Sequence, residues 1–289
     1  MGPSHDVPLP GGAVLPLSQR ACVMGILNVT PDSFSDGGRF FDPAEAIDHG
    51  LTLADEGADI LDVGAESTRP GADPVGAVEE RERLLPVIEA LAAKAGVPVS
   101  VDTMKAEVAE AALDAGAQIV NDVSAGADAE MLPLVARRGA PIVLLHMRGE
   151  PRTMQADVRY GDVVGEIAAV LDERAQRAIE AGVPRDRILV DPGFGFGKLV
   201  DHNLVLLRRL GEFRRLGYPI VAGTSRKTFI GRVLGDLPVG ERLEGSAATV
   251  ALAIWNGASV VRVHDVRAMS RVVGIVEATM AAVEPGEGP

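Results

Sequence analysis

The chain has 289 residues, of which 47% are hydrophobic and only 3% aromatic, and its formal net charge is -13. This charge argues against bulk electrostatic binding to nucleic acid or to an anionic membrane, so an anionic substrate requires a local cluster of cations. The sequence shows neither a signal-peptide pattern nor an apolar run of about 18 residues, which predicts a cytoplasmic protein.

The predicted elements begin after a segment rich in proline and glycine, so residues 1–20 are predicted to form an N-terminal arm that is loose up to Gly12. Short apolar runs then alternate with segments of helical character. Asp42 and Pro43, for example, have the residue types typical of a helix N-cap and first helical position. Residues 284–289 are predicted to be a disordered tail. The apolar runs, in chain order, are CVMGILNVT, ADILDVGAEST, VPVSVDT, AQIVNDV, APIVLLHM, RILVDPG, YPIVAGTS and SVVRVHD.

Eight strand–helix units without a long linker predict a single α/β domain, a (β/α)8 TIM barrel, over residues 21–283. The low aromatic content agrees, because a core of Ala, Val, Leu and Ile suits a parallel sheet that is buried on both faces. A doubly wound open sheet remains the alternative, since alternation alone does not establish closure. Cys22, the only cysteine, is expected to be a buried apolar residue of the first barrel strand, and no internal disulfide is possible.

Polar side chains end most of the predicted strands, where barrels of this kind carry their chemistry. Each one taken alone is equally consistent with a turn or cap residue, whereas a barrel would bring them all to one mouth. Their carboxylates and amides suit a ligand rich in N–H donors, such as an amino-pyrimidinone ring. A Mg²⁺ or Mn²⁺ site is the competing interpretation of the oxygen ligands. The strand-end residues are Asn28, Asp102, Asn121, Asp122, His146 and Asp191, while Asp62 lies inside the second strand between Leu61 and Val63.

Cationic side chains follow the last two predicted strands. Arg226 and Lys227 come after Ser225 at the start of a helix, and Arg262 and His264 share one face of the eighth strand. Barrels often bind phosphate with the loops after strands seven and eight. These residues therefore predict the local anion site that so acidic a protein requires.

The stretch DPGFGFGKLVDHN resembles a phosphate-binding loop but fails on spacing. Pro192 stands where a P-loop needs its first glycine, and Leu199 stands where it needs a hydroxyl. The three glycines also lack the spacing of a dinucleotide fingerprint. We therefore expect the glycines to permit close backbone turns, and Lys198 to face solvent rather than a nucleotide.

Several of these motifs, in this order, resemble the dihydropteroate synthase family over residues 22–279. The resemblance implies a (β/α)8 barrel, usually a homodimer, and the small-residue-rich helix SAATVALAIWNGA favours a subunit interface. The motifs that carry it are VMGILNVTPDSFSDGG, DVGAESTRPGA, SVDT, IVNDV, LLHMRGEPRTMQ, LVDPGFGFGK, GTSRKTFIG and VRVHDV.

The same resemblance implies an activity and a set of site residues. The reaction would condense 6-hydroxymethyl-7,8-dihydropterin diphosphate with 4-aminobenzoate, with early ionisation of the C–O bond, Mg²⁺ as cofactor and competition by sulfonamides. The implied catalytic residues are Asp102, Lys227, Arg262 and His264. The pterin would contact Asp62, Asp102, Asn121, Asp191 and Lys227. The diphosphate would contact Asn28, Arg69, Arg262 and His264, with Asn28 also as metal ligand. The aminobenzoate pocket would comprise Phe34, Thr68, Arg69, Pro70, Phe196, Ser225 and Lys227.

Two other functions stay open at this point. A pterin-binding methyltransferase would share the pterin carboxylates but needs no diphosphate site, which Arg262 and His264 argue against. A non-catalytic paralogue that serves in binding or assembly should have lost loop residues, yet Asn28, Thr68 and Lys227 are present.

Overall fold

The computed structural model describes residues 5–30, 42–67, 71–149, 153–155 and 158–282. Within these ranges the chain forms a two-stranded antiparallel hairpin and an eight-stranded parallel sheet. The hairpin strands are β1 (Val7–Pro8) and β2 (Val14–Leu15). The strands of the parallel sheet are β3 (Cys22–Asn28), β4 (Ile60–Gly64), β5 (Val99–Asp102), β6 (Ile119–Asp122), β7 (Ile142–Leu145), β8 (Ile188–Asp191), β9 (Val221–Ala222) and β10 (Val260–Val263).

The parallel sheet closes into a barrel, as predicted. Its strand order is β8-β7-β6-β5-β4-β3-β10-β9, and a parallel bridge between Val190 and Ile220 joins the two remaining edges. The order follows the chain around the ring without the reversal that defines a doubly wound sheet. The eight strands coincide with the eight apolar runs of the sequence, so the open-sheet alternative is wrong.

Helices surround the barrel and bury their apolar faces against it. Asp42 caps the first helix by accepting a hydrogen bond from the backbone N–H of Ala44, and Pro43 occupies the first helical position, as expected. In chain order the described α-helices are α1 (Pro43–Asp55), α2 (Ala77–Lys94), α3 (Ala106–Asp114), α4 (Met131–Arg138), α5 (Val163–Glu180), α6 (Val200–Arg208), α7 (Thr228–Val233), α8 (Leu243–Trp255) and α9 (Val266–Ala281). Short 3-10 helices span Pro10–Gly12, Arg185–Arg187, Leu210–Leu216 and Val239–Glu241.

The N-terminal arm differs from the loose segment that its composition suggested. Val7, Leu9, Leu15 and Leu17 are buried in a cluster with the inward-facing side chains at the N-terminal ends of the barrel strands. The hairpin therefore covers the end of the barrel opposite to the predicted site. Cys22 belongs to the same cluster, where burial raises the pKa of its thiol to about 12, as fits a structural cysteine.

The described helices include none with the length and apolar composition that crossing a bilayer would require.

Candidate active site

The strand register brings the predicted polar residues to the C-terminal mouth of the barrel. Gly64 of β4 pairs with Asn28 of β3 on one side and with Asp102 of β5 on the other. Asp102 pairs in turn with Asn121 of β6. Asp191 ends β8 on the same side of the sheet. Residues that looked like separate turn residues in the sequence are thus neighbours around one opening.

Arg262 is the centre of a charged cluster inside this mouth. Its Nε donates to Asp62 Oδ2 at 2.6 Å, and its Nη2 donates to Asp102 Oδ2 at 2.6 Å. Asn121 Nδ2 also donates to Asp62 Oδ2, at 3.0 Å. These contacts use two of the five N–H donors of a guanidinium, so donors remain for a bound anion.

Asp62 is completely buried, and its second oxygen, Oδ1, has no hydrogen-bond partner within the part of the chain that the structure describes. A buried carboxylate oxygen normally accepts a hydrogen bond. This atom is therefore a place for an N–H of a bound molecule or for a water. The cost of burying Asp62 is offset by its ion pair with Arg262.

The carboxylates around Arg262 are harder to ionise than exposed ones. Burial raises the pKa of Asp102 to about 7, and the charge of Asp62 adds to that effect against the opposing Arg262. Burial also raises the pKa of Asp191 to about 6, although the Gly193 N–H that donates to its Oδ1 at 2.7 Å stabilises the charged form. Strongly shifted groups in a cleft are typical of functional sites.

The loops after β9 and β10 are joined by side-chain contacts. Ser225 Oγ lies 3.1 Å from His264 Nδ1, and it accepts a hydrogen bond from the His264 backbone N–H at 3.2 Å. Arg226 pairs with Asp265 through two of its nitrogens. Burial, together with Arg226 and Arg262, lowers the pKa of His264 to about 3, so its ring is neutral at pH 7. The anion-binding charge predicted for these loops thus depends mainly on Arg262 and Lys227.

An apolar slot adjoins the polar cluster. It consists of Val123, Leu145, Met154 and Phe196, and Leu145 lies opposite Asp191 in the sheet. A cavity of about 490 Å³ reaches this slot and is lined in part by Met104, Val123, Leu145 and Met147. Its volume is within the range of small-molecule sites. Apolar walls beside buried carboxylates suit a flat ring with N–H groups on its edge.

Lys198 does not face solvent, and that sequence expectation is wrong. The residue is 3% exposed, and its Nζ donates to the backbone oxygens of Phe196 at 2.9 Å and His146 at 3.2 Å. Its third contact is His146 Nδ1, at 3.0 Å. Burial lowers the pKa of Lys198 well below its ordinary value, while Asp191 opposes that shift. The ring of His146 is neutral, because burial and the charge of Lys198 lower its pKa to about 3.

A second ion-pair cluster, partly buried, follows β5 and was not among the sequence predictions. Lys105 pairs with both Glu66 and Glu80, and Thr103 Oγ1 donates to Glu80 Oε1 at 2.7 Å. Glu80 is completely buried within α2. A sequence signal existed, because Glu80 falls on the same helical stripe as Leu84 and the later apolar residues of α2.

Asp122 is a turn residue, which was one of its two sequence interpretations. Its carboxylate accepts hydrogen bonds from the backbone N–H groups of Ser124 and Gly126 and from the Ser124 hydroxyl. Four further site residues implied by the resemblance lie outside the described residues, namely Phe34, Thr68, Arg69 and Pro70.

Comparison with known proteins shows the family of this chain. The family model described as "Pterin binding enzyme" matches residues 24–264. A dihydropteroate synthase of Synechocystis is 46% identical over 273 residues, which cover 94% of this chain and 94% of the relative. The chain belongs to the dihydropteroate synthase family of pterin binding enzymes. The family resemblance inferred from the motifs is thereby confirmed.

Solved structures of dihydropteroate synthases share the whole fold. The Xanthomonas albilineans enzyme with 4-aminobenzoic acid has a TM-score of 0.90 and 46% identity, covering 96% of this chain and 100% of that one. The Yersinia pestis enzyme with a sulfonamide drug complex has a TM-score of 0.91 and 41% identity over the same shares. Membership in this family makes the chain a transferase.

Proposed function

We propose that this chain joins 6-hydroxymethyl-7,8-dihydropterin diphosphate to 4-aminobenzoate, giving 7,8-dihydropteroate and diphosphate for folate biosynthesis. The observation that carries the proposal is the apolar slot beside the buried carboxylates of the mouth. Related support comes from the X. albilineans dihydropteroate synthase in complex with 7,8-dihydropteroate, which has a TM-score of 0.86 to this chain and 44% identity.

The dihydropterin ring would lie in the slot with its polar edge toward the strand ends. Asp102 and Asp191 would accept hydrogen bonds from its N–H groups, and Asn121 and Lys227 would donate to its acceptors. Asp62 would act alongside, because it orients both Asn121 and Arg262. The walls would be Val123, Leu145 and Phe196.

The leaving diphosphate would bind the remaining N–H donors of Arg262. His264 is a neutral hydrogen-bonding partner rather than a second cation. As the C–O bond to the diphosphate breaks, its electron pair leaves with the oxygen, and the pterin methylene becomes electron-poor. Fixed positive charge at the place where negative charge develops lowers the barrier.

The aniline nitrogen of 4-aminobenzoate then forms the new C–N bond and loses a proton to water. This step needs positioning more than activation. Phe196, Ser225 and Lys227 would shape the aminobenzoate pocket, and sulfonamides would compete for it. Phe34, Thr68, Arg69 and Pro70 remain proposed members of the pocket, with Arg69 also at the diphosphate.

Magnesium is the proposed cofactor, with Asn28 as its protein ligand. Mg²⁺ commonly keeps several waters and binds one or two protein oxygens together with substrate phosphates. The donor set fits that mode, because Asn28 offers a hard amide oxygen at the end of β3. When bound, the ion would add positive charge to the leaving diphosphate.

A homodimer is also proposed. Leu243, Leu252 and Trp255 of α8 and Ile275 of α9 are large apolar side chains on the surface. Surface apolar groups on two packed helices suit a second copy of the chain. Sedimentation at two concentrations would test this.

The pH dependence of kcat/KM for the dihydropterin diphosphate should show an acid limb. Asp102 and Asp191 have pKa values raised to about 7 and about 6, so they protonate as the pH falls through that window. A protonated carboxyl accepts pterin N–H groups poorly, so kcat/KM should fall there, and kcat/KM reports the free enzyme. The apparent pKa values belong to the coupled group. Asp191→Asn should lower the maximal kcat/KM of the pH profile and leave one fewer ionisation in its acid limb. An acid limb identical to that of the wild type would contradict the assignment of this limb to Asp191.

A coupled diphosphate-release assay tests the proposed function. The protein is mixed with the dihydropterin diphosphate and Mg²⁺, with and without 4-aminobenzoate, and then with a sulfonamide. We expect release that depends on aminobenzoate and is inhibited by the sulfonamide. Pterin binding by calorimetry without such release would instead favour a pterin-dependent methyltransferase or a non-catalytic paralogue.

A further inference from the structure

Lys198 is buried, yet none of the proposed chemical steps uses it. Its three contacts are all with groups able to accept a hydrogen bond, namely the backbone oxygens of Phe196 and His146 and the His146 Nδ1. An ammonium group has three N–H donors and no acceptor, so the arrangement satisfies it completely. This geometry is that of a noncovalent cross-link, made by hydrogen bonds, rather than that of a reactive group.

The cross-link joins two loops of the barrel mouth. His146 follows β7, whereas Phe196 belongs to the loop after β8, which runs from Pro192 to Leu199. The loops touch so closely that a Cβ at Gly193 would lie 2.0 Å from the His146 oxygen. Asn203 of α6 supports the same loop, because its Oδ1 accepts from the Gly195 N–H at 2.7 Å and its Nδ2 donates to the Lys198 oxygen at 3.3 Å.

The loop that Lys198 holds forms the surface under Lys227. A Cβ at Gly195 would lie 3.1 Å from Lys227 Cδ, so the aliphatic part of Lys227 packs on that glycine. The Lys227 Nζ lies 4.1 Å from the centre of the Phe196 ring, which is the geometry of a cation–π contact. The positive charge of Lys227 also acts on Asp191. The direction of the Lys227 ammonium therefore depends on where this loop lies.

We propose that Lys198 is a positioning residue, which locks the loop after β8 onto the loop after β7 so that Gly195 and Phe196 hold the Lys227 ammonium toward the pterin. This inference rests on the proposed function. Lys198 acts through Phe196 and Lys227 and does not contact the substrates. It explains why a lysine follows the three glycines of the DPGFGFGK stretch, which has no nucleotide to bind.

The test compares Lys198→Met with Lys94→Met in the diphosphate-release assay. Both changes replace a lysine with methionine, but Lys94 is exposed at the end of α2. We expect Lys198→Met to lose about tenfold or more in kcat/KM, because a displacement of about 1 Å at a reacting group can cost a hundredfold. Lys94→Met should stay within about twofold of the wild type, as surface substitutions usually do. A folded Lys198→Met protein with kcat/KM within that range would overturn the inference.

A double-mutant cycle separates positioning from general loss of packing. If Lys198 acts through Phe196, the double variant Lys198→Met with Phe196→Leu should lose clearly less than the product of the two single losses. Losses that multiply would contradict the inference. For the case that Lys198→Met does not fold, His146→Ala removes one of the three acceptors and His146→Asn replaces it with an amide oxygen. Activity should fall in the first and recover in part in the second, and equal losses would count against the cross-link.

Failure of the inference can be told apart from failure of the proposed function. A wild-type protein that neither binds the dihydropterin diphosphate in calorimetry nor releases diphosphate would refute both. An active wild type with an unaffected Lys198→Met variant would refute only the role of Lys198.

Discussion

Replacing Arg262 with alanine should lower turnover at least about a hundredfold, which corresponds to about 2.7 kcal/mol of lost transition-state stabilisation. The same change should lower the free energy of unfolding by about 3–5 kcal/mol, because removing one partner of a buried ion pair leaves the other charge uncompensated. Here two carboxylates, Asp62 and Asp102, would lose their shared cation. Steady-state kinetics and denaturant unfolding measure the two effects.

Two further variants make the Arg262 result specific. Arg262→Lys keeps a positive charge but loses the planar guanidinium that reaches Asp62 and Asp102 together. Compared with Arg262→Ala, it should restore a larger part of the unfolding free energy than of the turnover. Arg177→Ala removes an arginine from an exposed pair with Glu173 and should change little. Near-normal turnover in Arg262→Ala would show that the guanidinium does not hold the diphosphate.

The stability deficit of Arg262→Ala should shrink as the pH falls. Burial and the nearby Asp62 already raise the pKa of Asp102 with Arg262 present, and removing that cation raises it further. A carboxyl with a raised folded pKa binds a proton more tightly in the folded state than in the unfolded one. Stability is therefore retained below the unfolded pKa and is lost as the pH rises through the folded value. A deficit independent of pH would mean that the carboxylates are not the cause.

Replacing Gly193 with alanine should lower the free energy of unfolding by about 2–5 kcal/mol, since overpacking commonly costs about 1–3 kcal/mol and the left-handed backbone about 1–2 kcal/mol more. The residue has a φ of 72°, and a new Cβ would lie 2.0 Å from the backbone oxygen of His146. Activity should fall as well, because the Gly193 N–H donates to Asp191. Thermal unfolding and the release assay measure both effects.

Gly96→Ala is the matched control for Gly193→Ala. Gly96 has a similar φ of 69°, but nothing lies within 4 Å of its added Cβ. This control therefore carries only the backbone cost of about 1–2 kcal/mol. Equal destabilisation by the two changes would show that the contact with His146 is unimportant and that backbone conformation accounts for the whole effect.

The barrel and most of its mouth were predictable because they follow from local patterns. Short apolar runs that end in Asp102 or Asp191 identify both the strands and the ends that carry chemistry, since the carboxyl ends of parallel barrel strands share one face. The hairpin at the N-terminus also had a local signal, which was the alternation of Val7 and Leu9 before the Gly11-Gly12 turn. The prolines and glycines of this segment instead led to the prediction of a loose arm.

The pairings inside the mouth could not be predicted in the same way. Arg262 is far along the chain from Asp62 and Asp102, and nothing local indicates that one guanidinium binds both. From the sequence, Arg226 was predicted to bind an anionic substrate, but in the structure it pairs with Asp265. Lys198 was misread because a lysine after glycines usually lies in a solvated loop, and its burial depends on carbonyl groups whose direction only the fold determines.

The hairpin that covers the N-terminal end of the barrel bears on how the chain folds during synthesis. Val7 and Leu9 are made before the barrel strands, but their cluster includes Val221 and Val260, which belong to the last two strands. Contacts so distant along the chain form slowly, because a large loop must close before they contribute. These apolar residues should thus stay exposed on the nascent chain until the barrel is complete.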